Sequence, residues 1–310
     1  MIFFLDDLNL PEPEPTGAHP CLELIRQQLD LGGIFDLETL EFKLLYDALF
    51  VGSFTTGNTS FSNRFLRHFQ ILCFESIDEE NISRIFTHIC EWVLMNIGIV
   101  SKNIRSMREK IVKASVRIFL EVKKSNNFKP IPSKSHYIFS LRDLSKLFGG
   151  LLKINVKSIG KEEDFLKIWL YESERVYEDR LVSPEDVKAF KYILHTTFID
   201  IFPGKGSMKL ITQPTPILFT INTTTSQYSE IKDLNDFKKS CEEVLREKSS
   251  CPPLILFLDA LQHILRIQRT LVSKNGHILL IGVGGSGRKS LSALATNMMG
   301  WVISENNIYV

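Results

Sequence analysis

His277-Ile278-Leu279-Leu280-Ile281-Gly282-Val283-Gly284-Gly285-Ser286-Gly287-Arg288-Lys289-Ser290-Leu291 reads as an apolar strand, a glycine-rich turn and the start of a helix. Glycines let successive backbone N–H groups converge on an anion, and a helix N-terminus adds a favourable dipole. The phosphate-loop pattern is G-x-x-x-x-G-K-[ST]. Gly282 and Gly287 keep its spacing, Arg288 stands where Lys is expected, and Lys289 stands where a hydroxyl would ligate Mg²⁺. Ser290 follows one place late. The expected nucleotide-binding set is therefore Gly282, Gly284, Gly285, Ser286, Gly287, Arg288, Lys289 and Ser290. Backbone donors do most of the phosphate binding, so binding is expected to survive, and Arg288 still supplies charge. Hydrolysis at this loop is put in question by the displaced hydroxyl. The competing reading is a glycine turn with no ligand.

At the other end of the chain, Ile2-Phe3-Phe4-Leu5-Asp6-Asp7 places two acids at the end of an apolar run of strand length. Such a run suits a strand buried on both faces. In a phosphate-loop enzyme this is the Walker B element: one acid holds Mg²⁺ through water, the next polarises the attacking water. Taken alone, two solvated loop acids explain it as well. Order decides more than either motif. A module's phosphate loop precedes its acidic strand, whereas here the acids lie at 6 and 7 and the loop at 282 to 290. The two belong to different modules, and tandem nucleotide-binding modules follow.

The intervening chain divides by pattern. Residues 1–74 alternate strand, helix and strand, with a helix over Cys21–Leu31 stopped by Gly32-Gly33 and a second buried strand at Leu49–Ser53. Residues 75–202 read as an all-helical lid. Its helices are expected from a Ser76/Glu79 capping box to Asn96, from Ile104 to Val122, from Ser140 and Asp143 onward, over Glu162–Tyr177, and from Ser183-Pro184-Glu185-Asp186. Residues 203–232 form a connector, and 233–310 begin the next module with helices near 233–247 and 253–272. The fold class is α/β plus an all-helical lid, as partial P-loop modules in tandem, predominantly helical.

Composition sets the exclusions. The chain has 310 residues, 44% hydrophobic and 24% charged, with Lys+Arg 37 against Asp+Glu 36. A net charge of +1 gives no field to hold nucleic acid or an anionic membrane. No stretch approaches the roughly 18 apolar residues of a membrane span. Five cysteines without C-x-x-C spacing suggest reduced thiols in a cytosolic compartment. The histidines include no H-E-x-x-H, so zinc chemistry has little support. The abrupt apolar start, ended by Asp6-Asp7, suggests a piece of a larger protein.

Together these segments resemble the motor ring of dynein heavy chains, which carry six AAA+ modules in one chain. Asp6-Asp7-Leu8-Asn9-Leu10-Pro11 looks like the family's Walker B, and Arg64-Phe65-Leu66-Arg67-His68-Phe69 is similar to its R-F-x-R-H-F segment. His136-Tyr137-Ile138-Phe139-Ser140-Leu141-Arg142-Asp143-Leu144 resembles its lid motif, and Asp179-Arg180-Leu181-Val182 matches its D-R-L-V. Gly276 to Leu291 resembles the fourth module's phosphate loop. The resemblance runs almost end to end and implies the third module from its Walker B strand to the start of the fourth.

The resemblance then implies roles. Asp6 would be the Mg²⁺ acid and Asp7 the water-polarising acid. Arg64 would be the arginine finger reaching into the second module's site, with Arg67 the competing candidate, and Arg142 the sensor-2 arginine. The sensor-1 place, often Asn before Pro-Pro in relatives, is here Thr55-Thr56-Gly57 after Val51–Phe54, which puts hydrolysis by the third module in question. His68 and His136 are expected to be structural. The implied cofactors are ATP/ADP and Mg²⁺. The implied partners are the remaining AAA+ modules, microtubules through a stalk, and intermediate and light chains through a tail, at a cytoplasmic, cytoskeletal location. Asp at position 7, where cytoplasmic relatives usually have Glu, and the loop variant point to an axonemal heavy chain of a cilium or flagellum. The alternatives are a structural AAA+ spacer that binds nucleotide without hydrolysis, and another tandem ATPase such as midasin, against which the D-R-L-V and R-F-x-R-H-F segments argue.

Overall fold

The computed structural model describes residues 1–55, 61–98, 102–204, 209–210, 216–223, 225–247, 254–274 and 276–304. Thr56-Gly57 of the expected sensor-1 turn, Gly206 and Pro214 of the connector, and Cys251 lie outside them. The chain forms two compact units, Met1–Ser76 and Ile77–Val310.

In the first unit, β1 (Ile2–Leu5) pairs in parallel with β4 (Leu49–Gly52), with Ile2 opposite Leu49 and Leu5 opposite Gly52. Parallel strands need a crossover, which here holds α1 (Pro20–Leu31) and the antiparallel pair β2 (Gly33–Phe35) and β3 (Phe42–Leu44). Pro20 opens α1, where its missing N–H is harmless, and Gly32 closes it at φ 73° with its N–H on the Gln28 carbonyl. The short helix α2 (Asn63–Leu66) follows, started by the Ser62 hydroxyl accepting from the Arg64 N–H. Leu8, Leu22 and Phe65 form a small core with Leu5, Ile25, Phe61, Leu66 and Phe69 packed against it.

The strands expected to be buried are exposed: Ile2 is 69%, Phe4 65% and Leu49 66% accessible. Among the described residues β1 and β4 pair only with each other. An apolar run records what a strand can bury, and burial needs further strands or helices laid over it. Phe3 and Phe50 stack at 5.3 Å and give the pair its main local side-chain contact.

The second unit is built on α3 (Glu79–Asn96), α4 (Lys102–Ser106), α5 (Arg108–Lys124), α6 (Leu141–Leu151), α7 (Glu162–Tyr177) and α8 (Pro184–Ile201). The expected Ser76/Glu79 box does not form. The cap is Asp78, whose carboxylate accepts from the Asn81 N–H at 3.0 Å. A charged cap two residues later does the same work. The helix expected over 104–122 is two helices, meeting at Met107. At α6 the Asp143 carboxylate accepts from the Ser140 N–H at 2.9 Å, and at α8 the Ser183 hydroxyl accepts from the Asp186 N–H at 3.2 Å. Trp169, Phe148, Phe165 and Phe198 lie in one fully buried core.

The segments at 136–144 and 179–182 lock to each other. The Tyr137 hydroxyl donates to Asp186 at 2.8 Å and accepts from the Val182 N–H at 2.7 Å. Arg180 donates to Asp143 at 2.6 Å and to the Ile138 carbonyl at 2.9 Å. Burial pushes the Asp143 carboxyl up, but the hydrogen bonds from Arg180 and Ser140 outweigh it and leave it below the usual range.

Within the stretch read as a connector, β5 (Phe219–Ile221) and β6 (Tyr228–Glu230) form an antiparallel pair. Phe219, Ile221 and Tyr228 join the lid core. Then come α9 (Leu234–Glu247), α10 (Leu258–Leu271) and α11 (Arg288–Met298), which share a second core through Phe237, Cys241, Leu261, Ile264, Leu265, Leu294 and Ala295. The expected strand at 277–281 is not paired, and Leu279 is 84% and Ile281 70% exposed. No neighbouring strand among the described residues supplies its hydrogen bonds.

A fully buried Glu172 on α7 binds Arg269 of α10 and the Tyr228 hydroxyl. Burial, then the Arg269 charge, push the nearby Lys153 ammonium down to about 8, with Glu172 opposing. Gly150 makes room for that carboxylate: a Cβ there would lie 1.8 Å from Glu172 Oε2. Gly150→Ala must displace Glu172 from Arg269. Breaking one side of a buried ion pair costs about 3 kcal/mol or more. A fall in Tm of roughly 6–12 °C is expected by calorimetry. An unshifted melt would mean that the carboxylate has another place to go.

Candidate functional site

Asp6 and Asp7 sit where β1 ends. The Asp7 N–H donates to Asp6 Oδ1 at 3.1 Å, and the Ser53 hydroxyl donates to the same oxygen. Parallel pairing explains the Ser53 contact, because the residue after Gly52 lies beside the residue after Leu5. Backbone bonds close the junction: the Ser53 N–H reaches the Leu5 carbonyl at 2.9 Å, and the Leu8 N–H the Ser53 carbonyl at 3.0 Å. Asp7 takes φ 51°, a left-handed conformation uncommon outside glycine. Both carboxylates are exposed. The Thr55 N–H binds the Asn9 side chain at 3.4 Å, so the expected sensor-1 residue leans on the loop after the acids while Ser53 holds Asp6 itself. Sequence reasoning missed Ser53 in this role; the parallel register is the signal that finds it.

The two finger candidates differ. Arg67 donates to Asp30 of α1 at 2.6 Å, and His68 Nε2 lies 2.9 Å from the same oxygen. Arg26 is a third partner of Asp30. The Arg67 hydrogen bond, opposed by burial and helped by Arg26, holds the Asp30 carboxyl below the usual range. Arg64 is exposed, and its side chain makes no hydrogen bond or ion pair among the described residues. The two candidates thus differ in local anchoring, Arg67 being paired with Asp30 and Arg64 not.

Arg142 is the second residue of α6, exposed on the first turn and likewise without a side-chain partner among the described residues. Its neighbour Asp143 is committed to Ser140 and Arg180, so the helix start is fixed while the Arg142 side chain is not. His136 Nε2 lies 2.9 Å from the Arg180 carbonyl.

The loop at 282–290 is a left-handed turn running into a helix. Gly285 and Gly287 both have φ 77°, Gly287 caps α11, and the Ser286 N–H bonds the Val283 carbonyl at 3.3 Å. The first helical bond runs from the Leu291 N–H to the Gly287 carbonyl at 2.8 Å. The N–H groups of Arg288 and Ser290 therefore stand in the open first turn of the helix. A Cβ at Gly284 or Gly285 would meet nothing within 4 Å, so the space above the loop is open. Arg288 and Lys289 are exposed and Ser290 is half-buried. Arg142 and the loop belong to the second unit, the two acids and the finger candidates to the first.

The residues fit a hydrated Mg²⁺ and a nucleotide in part. Mg²⁺ keeps several waters and binds through one or two carboxylates plus phosphate oxygens. Asp6 offers one exposed carboxylate, with one oxygen already engaged by Ser53 and Asp7. Among the described residues no group of three or more His, Cys, Asp or Glu is placed to hold a metal ion. No helix among them is long and apolar enough to cross a membrane.

Three family models match the chain. Residues 1–77 match the P-loop containing dynein motor region, residues 91–187 the dynein heavy chain ATPase lid domain, and residues 253–309 the P-loop containing dynein motor region D4. Among curated proteins, dynein axonemal heavy chain 1 of Homo sapiens is 35% identical over 325 residues, covering 96% of this chain and 7% of the relative. Dynein axonemal heavy chain 6 of Homo sapiens is 32% identical over 314 residues, 97% of this chain and 7% of the relative. The ciliary dynein beta chain of Tripneustes gratilla is 31% identical over 302 residues, 96% of this chain and 7% of the relative. The chain thus spans about 7% of the length of these relatives.

Proposed function

The chain belongs to the dynein heavy-chain family, and from that membership we propose that it supplies two regulatory half-sites to an ATP-driven, minus-end-directed microtubule motor. In this reading residues 1–74 close the α/β part of the third AAA+ module, 75–202 are its lid, 203–232 link it onward and 233–310 open the fourth. The observation that carries the reading is order: acids, lid, then phosphate loop, along one chain. Axonemal and ciliary relatives support a place in a cilium or flagellum, with the remaining AAA+ modules, microtubules and intermediate and light chains as partners of the whole motor.

Each residue then has a task. Backbone N–H groups of Gly285, Gly287, Arg288 and Ser290 cradle ATP or ADP phosphates, with Arg288 adding charge. Asp6, oriented by Ser53, holds hydrated Mg²⁺, whose charge when bound offsets that of the phosphates. Asp7 polarises water at the third site, Arg64 reaches the preceding module's nucleotide, and Arg142 senses the phosphate at its own. Nearly all phosphoryl-transfer catalysis is positioning and electrostatics. Half a site therefore does little, and the purified 310-residue chain is expected to bind ADP without turning over ATP. A steady turnover that disappears in Asp7→Asn would overturn this.

A second reading, a nucleotide-binding spacer without hydrolysis, is favoured by Lys289 standing at the Mg²⁺ hydroxyl position and Thr55 at the sensor-1 place. Nucleotide retained through many motor cycles without exchange or cleavage would select it.

A further inference from the structure

Glu172 lies at the centre of a charged cluster and is fully buried. Its Oε1 accepts from Arg269 Nε at 3.1 Å and from the Tyr228 hydroxyl, and its Oε2 accepts from Arg269 Nη2. Lys153, just past α6, donates its ammonium to the Arg269 carbonyl at 2.8 Å and to the Ser273 hydroxyl at 2.7 Å. The Lys153 carbonyl accepts from the Tyr228 N–H at 2.7 Å. One carboxylate thus gathers groups from the lid helices, from β6 and from the last turn of α10.

Such pairs are costly to desolvate, and apolar packing often stabilises as well; their best-attested use is to fix register. The register fixed here is that of the α10 end against α6 and α7. Past α10, Gly276 lies close against the helix end, where a Cβ would sit 1.8 Å from the Thr270 carbonyl. Residues 277–281, unpaired among the described residues, lead on to Gly282. On the far side of the loop, α11 shares a core with α10 through Leu261, Ile264, Leu265, Leu294 and Ala295. The helix end of the phosphate loop is therefore rooted on α10 through this core. At the lid end, α6 carries Arg142 in its first turn and Gly150 against Glu172 in its last.

We propose that Glu172 is a positioning residue for the loop of residues 282–290, pinning the root of that loop to the lid helices so that lid angle is delivered to it. Its consequence for ligand affinity rests on the nucleotide reading of the loop; its mechanical claim does not.

The test is hydrogen exchange by mass spectrometry on the whole 310-residue chain, for the parent, Tyr228→Phe and Glu172→Gln, each without and with ADP. Tyr228→Phe removes one hydroxyl and keeps the ion pair. Amides of the α10 end and of α11, residues 268–273 and 291–298, should exchange about threefold to tenfold faster in it, with α3 and α5 unchanged. Glu172→Gln should raise exchange there more than tenfold and weaken ADP binding at least fivefold. Faster exchange confined to α6 and α7, spread evenly over 77–304, or absent in Tyr228→Phe would overturn the proposal, and that variant decides alone should Glu172→Gln fail to fold. A parent that does not bind ADP would sink the nucleotide reading of the loop, while the exchange pattern still decides the role of Glu172.

Discussion

Gly287→Val is expected to abolish nucleotide binding by residues 282–290. Gly287 caps α11 at φ 77° and ψ 10°, and the left-handed region costs an L-residue about 1–2 kcal/mol, more when the side chain is β-branched. The objection is conformational, since a Cβ there would come no closer than 3.8 Å to Leu291. Relief of that strain must rotate the peptide groups of the turn, and the N–H groups of the cradle turn away with them. Losing even two aimed donors takes about 3 kcal/mol, on the order of 10²-fold in Kd. Titration of the chain with a fluorescent ADP, with and without Mg²⁺, measures it. Gly284→Ala is the matched control: its φ is not left-handed and its Cβ would meet nothing within 4 Å. A loss there would report the space the ligand needs rather than the conformation of the free loop. Unchanged binding in Gly287→Val would reduce the segment to a turn.

The second large effect is expected from Asp7→Asn in a full-length heavy chain carrying these residues. Asp7 holds φ 51°, and Asn is among the side chains that tolerate that region best, so the junction with β4 should be preserved. What is lost is the charge that, in the proposed role, would polarise water. Removing a positioned general base slows turnover by roughly 10²–10⁴-fold. Single-turnover phosphate release at the third module should fall by at least about 10²-fold, with nucleotide affinity nearly unchanged. Asp7→Ala would be the poorer probe, because it mixes lost charge with backbone strain. Phosphate release at the parental rate in Asp7→Asn would place the catalytic work of this family member in its other modules.

Local chemistry was legible in the sequence where one residue type has one use. Gly32 ends α1 in the left-handed conformation, and Ser183-Pro184 opens α8 with hydroxyl and ring in their expected places. Ser140 and Asp143 pair three residues apart as the box requires. Ser76 and Glu79 have the same spacing, yet Asp78 takes the cap, because several short polar side chains near one helix start compete. The three-residue strands β2, β3, β5 and β6 are too short to show alternation. Strand burial was not legible either, because it belongs to neighbours: Phe4 is as apolar as Phe165, but the first is 65% exposed and the second fully buried. At the candidate site, glycine spacing and paired acids stood out from the order of residues alone. Ser53 beside Asp6 depends on register across 47 residues, and Glu172 with Arg269 on contact across 97, distances at which one sequence carries no pairing signal.

The bare faces of β1 and β4 also govern how this chain behaves in a tube. A two-stranded parallel sheet is marginal in water, and each strand has an edge with no partner among the described residues. Ile2, Phe4, Leu49 and Val51 lie exposed along it, and at the other end of the sequence Leu279, Ile281 and Val283 do the same. Unpaired edges lined with such side chains template intermolecular pairing. The near-zero net charge of +1 adds little repulsion between molecules. The purified chain should therefore clump as it is concentrated, with light scattering rising well below the temperature at which its helices melt. Covering those two apolar runs, rather than stabilising the lid, is the step that would make it tractable in solution.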